Sequence, residues 1–211
     1  MKNLPWIVVI ALMGVLVAAG VILYPEYQRT GQALQECQKK LSDPVKRAEA
    51  DAGQLKSTQE KLLADLKEQI LKQEVIIKEC QTGFSLTLID RVLFEFAEAR
   101  LTAEGRKILL KVGEALKKTQ GRNIRVVGHA DTVAIRQDYQ SKFPTNWELS
   151  AARAATVVRF LQERTGLDPK SMEAVGKSFY EPAAGNETEK GRALNRRVEI
   201  IVGPKMEVKT K

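Results

Sequence analysis

Between Asn3 and Pro25 the chain carries no charged side chain, and Ile7 to Leu23 is an almost unbroken run of Ile, Val, Leu, Ala and Gly. A helix rises 1.5 Å per residue, so about 20 such residues cross a hydrocarbon core of about 30 Å. The run predicts a transmembrane anchor over residues 1–25. A cleaved secretory signal is the rival reading, but its apolar core is about 7–15 residues long and ends at a small-x-small site. Here Val21, Ile22, Leu23 and Tyr24 continue the run past Ala18, Ala19 and Gly20, which favours the uncleaved anchor. Lys2 and the α-amino group precede the span, and holding them inside places the bulk of the chain outside the cytoplasm. Arg29, Lys39 and Lys40 oppose that orientation from the other side.

Residues 26–82 are rich in Gln, Lys, Glu, Leu and Ala, with few aromatics and no continuous apolar block. Such a segment predicts a helical stalk, possibly a coiled coil. Leu63, Leu66, Ile70, Gln73, Ile77 and Cys80 follow a 3-4 alternation broken once by a polar residue. Tyr27, Leu34, Cys37 and Leu41 form a shorter second seam. Ser42, Asp43 and Pro44 separate the two, because the residue before a proline is pushed out of helical angles. The alternative is a surface helix packed on the domain that follows. A parallel homodimer through the stalk would set each of Cys37 and Cys80, the only two cysteines, against its own counterpart. An intrachain bridge would instead require the chain to fold back at Pro44.

After Gly83 the texture becomes mixed. Phe84–Leu93 reads as a strand, Thr102 and Glu104 open an amphipathic helix carrying Ile108, Leu109, Val112 and Leu116, and Asn123–Gly128 is a second strand. From Ser150 a second helix carries Ala154, Val157, Val158 and Leu161. Met172–Ser178 and Val198–Val202 are further strands. The order βαβαββ predicts an α+β domain over 83–203, one mixed sheet covered by helices, with a disordered polar tail at 204–211.

One stretch carries chemistry. Asp131 follows the second strand, a polar loop with Pro144 intervenes, and the next helix carries Arg153 near its start. The end of the strand, the loop and the helix N-terminus make a crevice with free backbone N–H groups. A carboxylate and a guanidinium facing that crevice suit a zwitterion, Asp131 taking the ammonium and Arg153 the carboxylate. The spacing alone equally allows Asp131 as a turn or cap residue and Arg153 as a solvated helix residue.

The motifs "GHAD", "NWELSAARA" and "NRRVEI", in that order, resemble the OmpA-like peptidoglycan-binding domain, and the loop Pro144-Thr145-Asn146-Trp147-Glu148-Leu149-Ser150 resembles its MotB-type branch. The likeness covers residues 84–203. It implies that Asp131 and Arg153 grip the free amino and carboxyl groups of diaminopimelate in the wall peptide. It further implies that Asn146 shapes the pocket and that Arg197, with Asn195 and Arg196, belongs to the closing motif. Ala130 stands where the family has Thr, so one hydroxyl contact is missing. Trp147 and Leu149 are expected to anchor the loop.

The resemblance and the anchor together imply a single-pass inner-membrane protein with its C-terminal domain in the periplasm, tethering an inner-membrane complex to peptidoglycan. The alternative is a MotB-like stator subunit of an ion-driven motor, which needs a titratable carboxylate within the bilayer. Residues 3–25 contain none. No enzyme, cofactor or metal is expected. His129 is the only histidine, which excludes a multi-histidine metal site and leaves no other His partner for a nucleophile. It reads as structural. A wall enzyme using carboxylates is a third possibility, separable by looking for released muropeptides. The net charge of +8 comes from Lys and Arg interspersed with Asp and Glu, which argues against nucleic acid and suits an anionic wall polymer.

Overall fold

The computed structural model describes residues 51–80, 82–119 and 121–204, with scattered positions between 10 and 50. The chain divides into two compact units, Met1–Ala52 and Gly53–Lys211. In the first, every described position is helical, including Ser42 and Asp43, where a break was expected. Glu36 and Lys40 form an i,i+4 ion pair at 2.8 Å there. No helix among the described residues is long and apolar enough to cross a membrane. The span expected over 1–25 lies outside them except for Ile10 and Met13, both helical and exposed.

The second unit begins with a helical stretch at 53–65 (α1) and a short helix Lys67–Leu71 (α2), followed by β1 (Val75–Cys80), β2 (Gly83–Ile89) and a helical turn Asp90–Leu93 (α3). Next come α4 (Ala103–Leu116), β3 (Arg122–His129), α5 (Gln137–Gln140), α6 (Asn146–Thr165), β4 (Met172–Gly176), α7 (Glu189–Asn195) and β5 (Arg197–Pro204). The five strands form one mixed sheet in the order β1-β2-β5-β3-β4. Only β3 and β4 are parallel. The expected βαβαββ order is therefore present as β2-α4-β3-α6-β4-β5, with β1 added at one edge.

That added strand corrects the stalk expectation. Val75–Cys80 pairs antiparallel with β2, from Val75 opposite Leu88 to Cys80 opposite Gly83. Ile77 and Cys80 thus lie on a strand rather than a coiled-coil seam, and Cys80 is an exposed free thiol. Leu66, a seam residue, is wholly buried in this domain's core, as is Leu62. The surface-helix alternative describes this part of the chain. The first domain strand also ends earlier than expected, at Ile89, and residues 90–93 turn into α3.

The core lies between the sheet and its helices. Alternation sends Phe84, Leu86 and Leu88 of β2, Ile124 and Val126 of β3, and Val198, Ile200 and Val202 of β5 toward it. Helix α4 contributes Ile108, Leu109, Val112 and Leu116 as its periodicity predicted, and α6 contributes Ala154, Val157 and Leu161. Burial of each large side chain is worth about 1.5–3 kcal/mol. A Cβ on Gly128 would lie 2.1 Å from the backbone oxygen of Ser150. The bare glycine is what allows α6 to pass this close to the end of β3, and so brings the helix beside the loop after the strand.

Candidate functional site

Helix α6 starts at Asn146, four residues earlier than expected, because Thr145 caps it. Thr145 Oγ1 accepts from the Trp147 N–H at 3.1 Å, and the Glu148 carboxylate accepts from the Thr145 N–H at 2.8 Å. Arg153 consequently sits two turns into the helix rather than in its first turn. The cap also places Asn146 at the crevice, where its Nδ2 donates to the backbone oxygens of Asp131 at 3.1 Å and Val133 at 3.0 Å. Asn146 thereby fixes the loop after β3.

Asp131, Asn146 and Arg153 line one cavity of about 600 Å³ between the β3–α5 loop, α3, the loop after it, and α6. Arg153 is 3% exposed. It is not the solvated helix residue that spacing allowed. Its Nη1 meets Asp90 Oδ1 at 2.8 Å, its Nε donates to the Glu98 backbone oxygen at 3.1 Å, and its guanidinium lies 5.2 Å from the centre of the Phe94 ring. Asp131 is buried too. Its Oδ1 accepts from the Val133 N–H at 3.0 Å, so it is a turn residue and a cavity residue at once. Its Oδ2 is bound by Arg196 Nη1.

Two residues complete the group: Asp90, which the sequence reading did not single out, and Arg196, which it placed in the closing motif behind Arg197. Asp90 opens α3, and its backbone N–H donates to the Arg196 carbonyl at 2.9 Å. Arg196 spans Asp131 and Glu189, the latter at 2.6 Å. Burial pushes the Asp90 carboxyl above the usual carboxylate range, against the pull of Arg153 and Arg196. Burial also lowers the Arg153 guanidinium, against Asp90. Burial thus costs both partners of this pair more than their attraction returns.

Arg197, by contrast, is not in the cavity. Side chains on a strand alternate, and Arg197 shares its face with Glu199, at 2.7 Å, rather than with Val198 and Ile200 of the core. Its Nη2 donates to the Glu181 carbonyl at 3.2 Å. His129, on the same face of the neighbouring strand, is buried with both ring nitrogens lacking hydrogen-bond partners among the described residues. Desolvation, with Arg197 adding to it, lowers its pKa to about 4, so it is a neutral structural residue at pH 7. Leu149 is buried at the cavity, and Trp147 stacks on Tyr180 with centroids 5.3 Å apart, pinning the loop after β4. No cluster of metal-ligating side chains occurs among the described residues.

This chain belongs to the OmpA family, with residues 93–196 matching it. The chain is 31% identical over 179 residues to the protein YtxE of Bacillus subtilis, covering 83% of this chain and 72% of that one. It is 31% identical over 156 residues to Motility protein B of Bacillus subtilis, covering 74% of this chain but only 59% of the relative's length. The solved cell wall anchor of the T6SS from Pseudomonas aeruginosa superposes with a TM-score of 0.62 at 36% identity, covering 68% of this chain and 97% of that structure.

Proposed function

We propose that the domain binds peptidoglycan non-covalently, recognising the free zwitterionic end of diaminopimelate in the stem peptide, and that the chain tethers an inner-membrane complex to the wall. The observation that carries this reading is the convergence of Asp131, Asn146 and Arg153 in one cavity, with carboxylates and guanidiniums both facing it. A cavity holding both signs in a desolvated setting suits a small zwitterion better than a simple anion or cation. Likeness to a cell wall anchor supports the same conclusion. The uncharged run of residues 3–25 supplies the anchor in this reading, a single pass with the domain in the periplasm, and a parallel pairing of two copies through the residues ahead of Gly53 completes it.

Retention on purified sacculi tests the binding. Truncating Asp131 or Arg153 to Ala leaves a ligand charge unpaired, which costs roughly 2–5 kcal/mol. Retention is expected to drop more than tenfold while the fold survives. Undiminished retention in both variants places the binding site elsewhere.

Likeness to Motility protein B supports a second reading, a stator subunit. With no carboxylate between Asn3 and Pro25, the chain in that reading depends on another protein for the titrating group. Proton flux in vesicles containing this chain alone is expected to stay at background, and flux above it overturns the tether in favour of the stator.

A further inference from the structure

We propose that Phe96, together with Val133, is the wall of this cavity that packs on the hydrocarbon chain of the ligand, and that it makes the site selective for that chain. The inference rests on the peptidoglycan reading above and leaves the charged end of the ligand to Asp131, Asn146 and Arg153. Charged and apolar linings meet in this one cavity: beside the aspartates and arginines stand Phe96, Val133, Ala134 and Ile135. Phe96 is 77% exposed and Val133 54%, so large apolar side chains from the loop after α3 and from the loop after β3 both stand open to solvent at the site. A lone exposed apolar residue is ordinary on a protein surface. Apolar side chains from separate loops that line the same cavity as a buried ion pair are a ligand-binding arrangement. Diaminopimelate has the matching chemistry, a zwitterionic end carried on a chain of methylenes.

The backbone holds Phe96 in place. Ala97, next to it, has a φ of 55°, a left-handed conformation that a residue with a Cβ rarely adopts. Strain of this kind persists only where the surroundings enforce it. Here the Glu98 N–H donates to the Glu95 carbonyl at 3.1 Å and closes the turn. The Glu98 carbonyl accepts from Arg153 Nε at 3.1 Å, and the Glu98 carboxylate accepts from Lys142 Nζ at 2.9 Å. One short turn therefore carries both the aromatic wall and a contact that fixes the guanidinium, so the fold sets where hydrocarbon is recognised relative to charge. Phe96 takes no part in the hydrophobic core, and truncating it leaves the fold intact.

The test is titration calorimetry on the purified full chain in detergent, by displacement of meso-diaminopimelate. The probes are D-2-aminobutyrate, D-norvaline and D-norleucine, which share one zwitterionic end and add one methylene at each step. Each buried methylene is worth roughly fourfold in affinity, and wild type is expected to gain by about that factor per step. Phe96→Ala is expected to flatten the gain and Phe96→Leu to restore most of it. Val133→Thr, which keeps the shape and the backbone bonds to Asp131 and Asn146, is expected to reduce it. An equal loss of affinity for every probe in Phe96→Ala assigns the residue only the positioning of Arg153, and the proposal fails. It fails also if Phe96→Ala follows the series as wild type does, or if wild type binds diaminopimelate without distinguishing the probes. The parent reading is checked separately by sacculus retention: absence of any Arg153-dependent retention sinks that reading, and this inference with it.

Discussion

Arg153 is enclosed by a carboxylate, a carbonyl and an aromatic ring, each from the segment between Asp90 and Glu98. A guanidinium so held is pre-organised, so ordering it costs a ligand little. One consequence is pH dependence. Asp90 faces Arg153 from α6, Arg196 from the start of β5 and Asp131 from the β3–α5 loop, and its pKa is raised by burial. An Asp90 that holds Arg153 in place must be ionised, so Arg153-dependent retention on sacculi is expected to fall on acidification earlier than an ordinary carboxylate allows, a decline that Asp90→Asn flattens. His129 supplies a second signature, this time in stability. Its folded pKa of about 4 lies below the unfolded value of 6.5. The unfolded chain thus takes up a proton that the folded chain refuses, and stability is lost as pH falls from 6.5 toward 4. Between pH 7.5 and 5 this amounts to roughly 2 kcal/mol. Urea midpoints at the two pH values are expected to converge in His129→Gln relative to wild type.

At the scale of the element, helix α6 positions the site, and two local features position α6. Its cap is Thr145 with Glu148. Thr145→Ala is expected to cost about 1 kcal/mol of stability and, because Asn146 is the first residue of the helix, to weaken ligand binding beyond what the stability loss explains. Denaturation and calorimetry on one preparation separate the two. Its approach to the sheet depends on Gly128, where a Cβ would sit 2.1 Å from a backbone oxygen that cannot move without the helix. Gly128→Ala is expected to destabilise by several kcal/mol, about 1–3 of overpacking together with displaced strand or helix, and to abolish ligand binding in calorimetric titration even where the chain stays folded.

For the whole molecule, the domain boundary matters most. A fragment starting at Gly83 omits β1, helices α1 and α2, and with them Leu62 and Leu66 of the core. It bares the edge of β2 and part of the core, a surface prone to pairing between copies. A fragment from Gly53 retains all of these. In thermal melts the longer fragment is expected to unfold cooperatively, and the Gly83 fragment to melt well below it or to aggregate. A higher melting temperature for the shorter fragment contradicts the assignment of α1 and β1 to this domain. Cys80, exposed at the end of an edge strand, belongs to the domain as well, so it no longer supports pairing across a coiled coil.

The amino-acid sequence by itself determined what depends on short-range pattern. The apolar faces of α4 and α6 recur every three or four residues, the strands alternate, and the motifs around Asp131, Asn146 and Arg153 stand in order along the chain. Tertiary structure alone decided the rest, because the deciding contacts join residues far apart. Val75–Cys80 has neighbours of helical composition, yet β2 offers it an open edge and a core for Val75 and Ile77. Asp90 carries no motif of its own; the turn of α3 after β2 swings it against a helix that begins more than 50 residues later. Arg196 and Arg197 are adjacent and chemically identical. Only where β5 enters the sheet fixes which one turns toward Asp131 and which toward Glu199, since a shift of one residue along a strand reverses the face to which a side chain points.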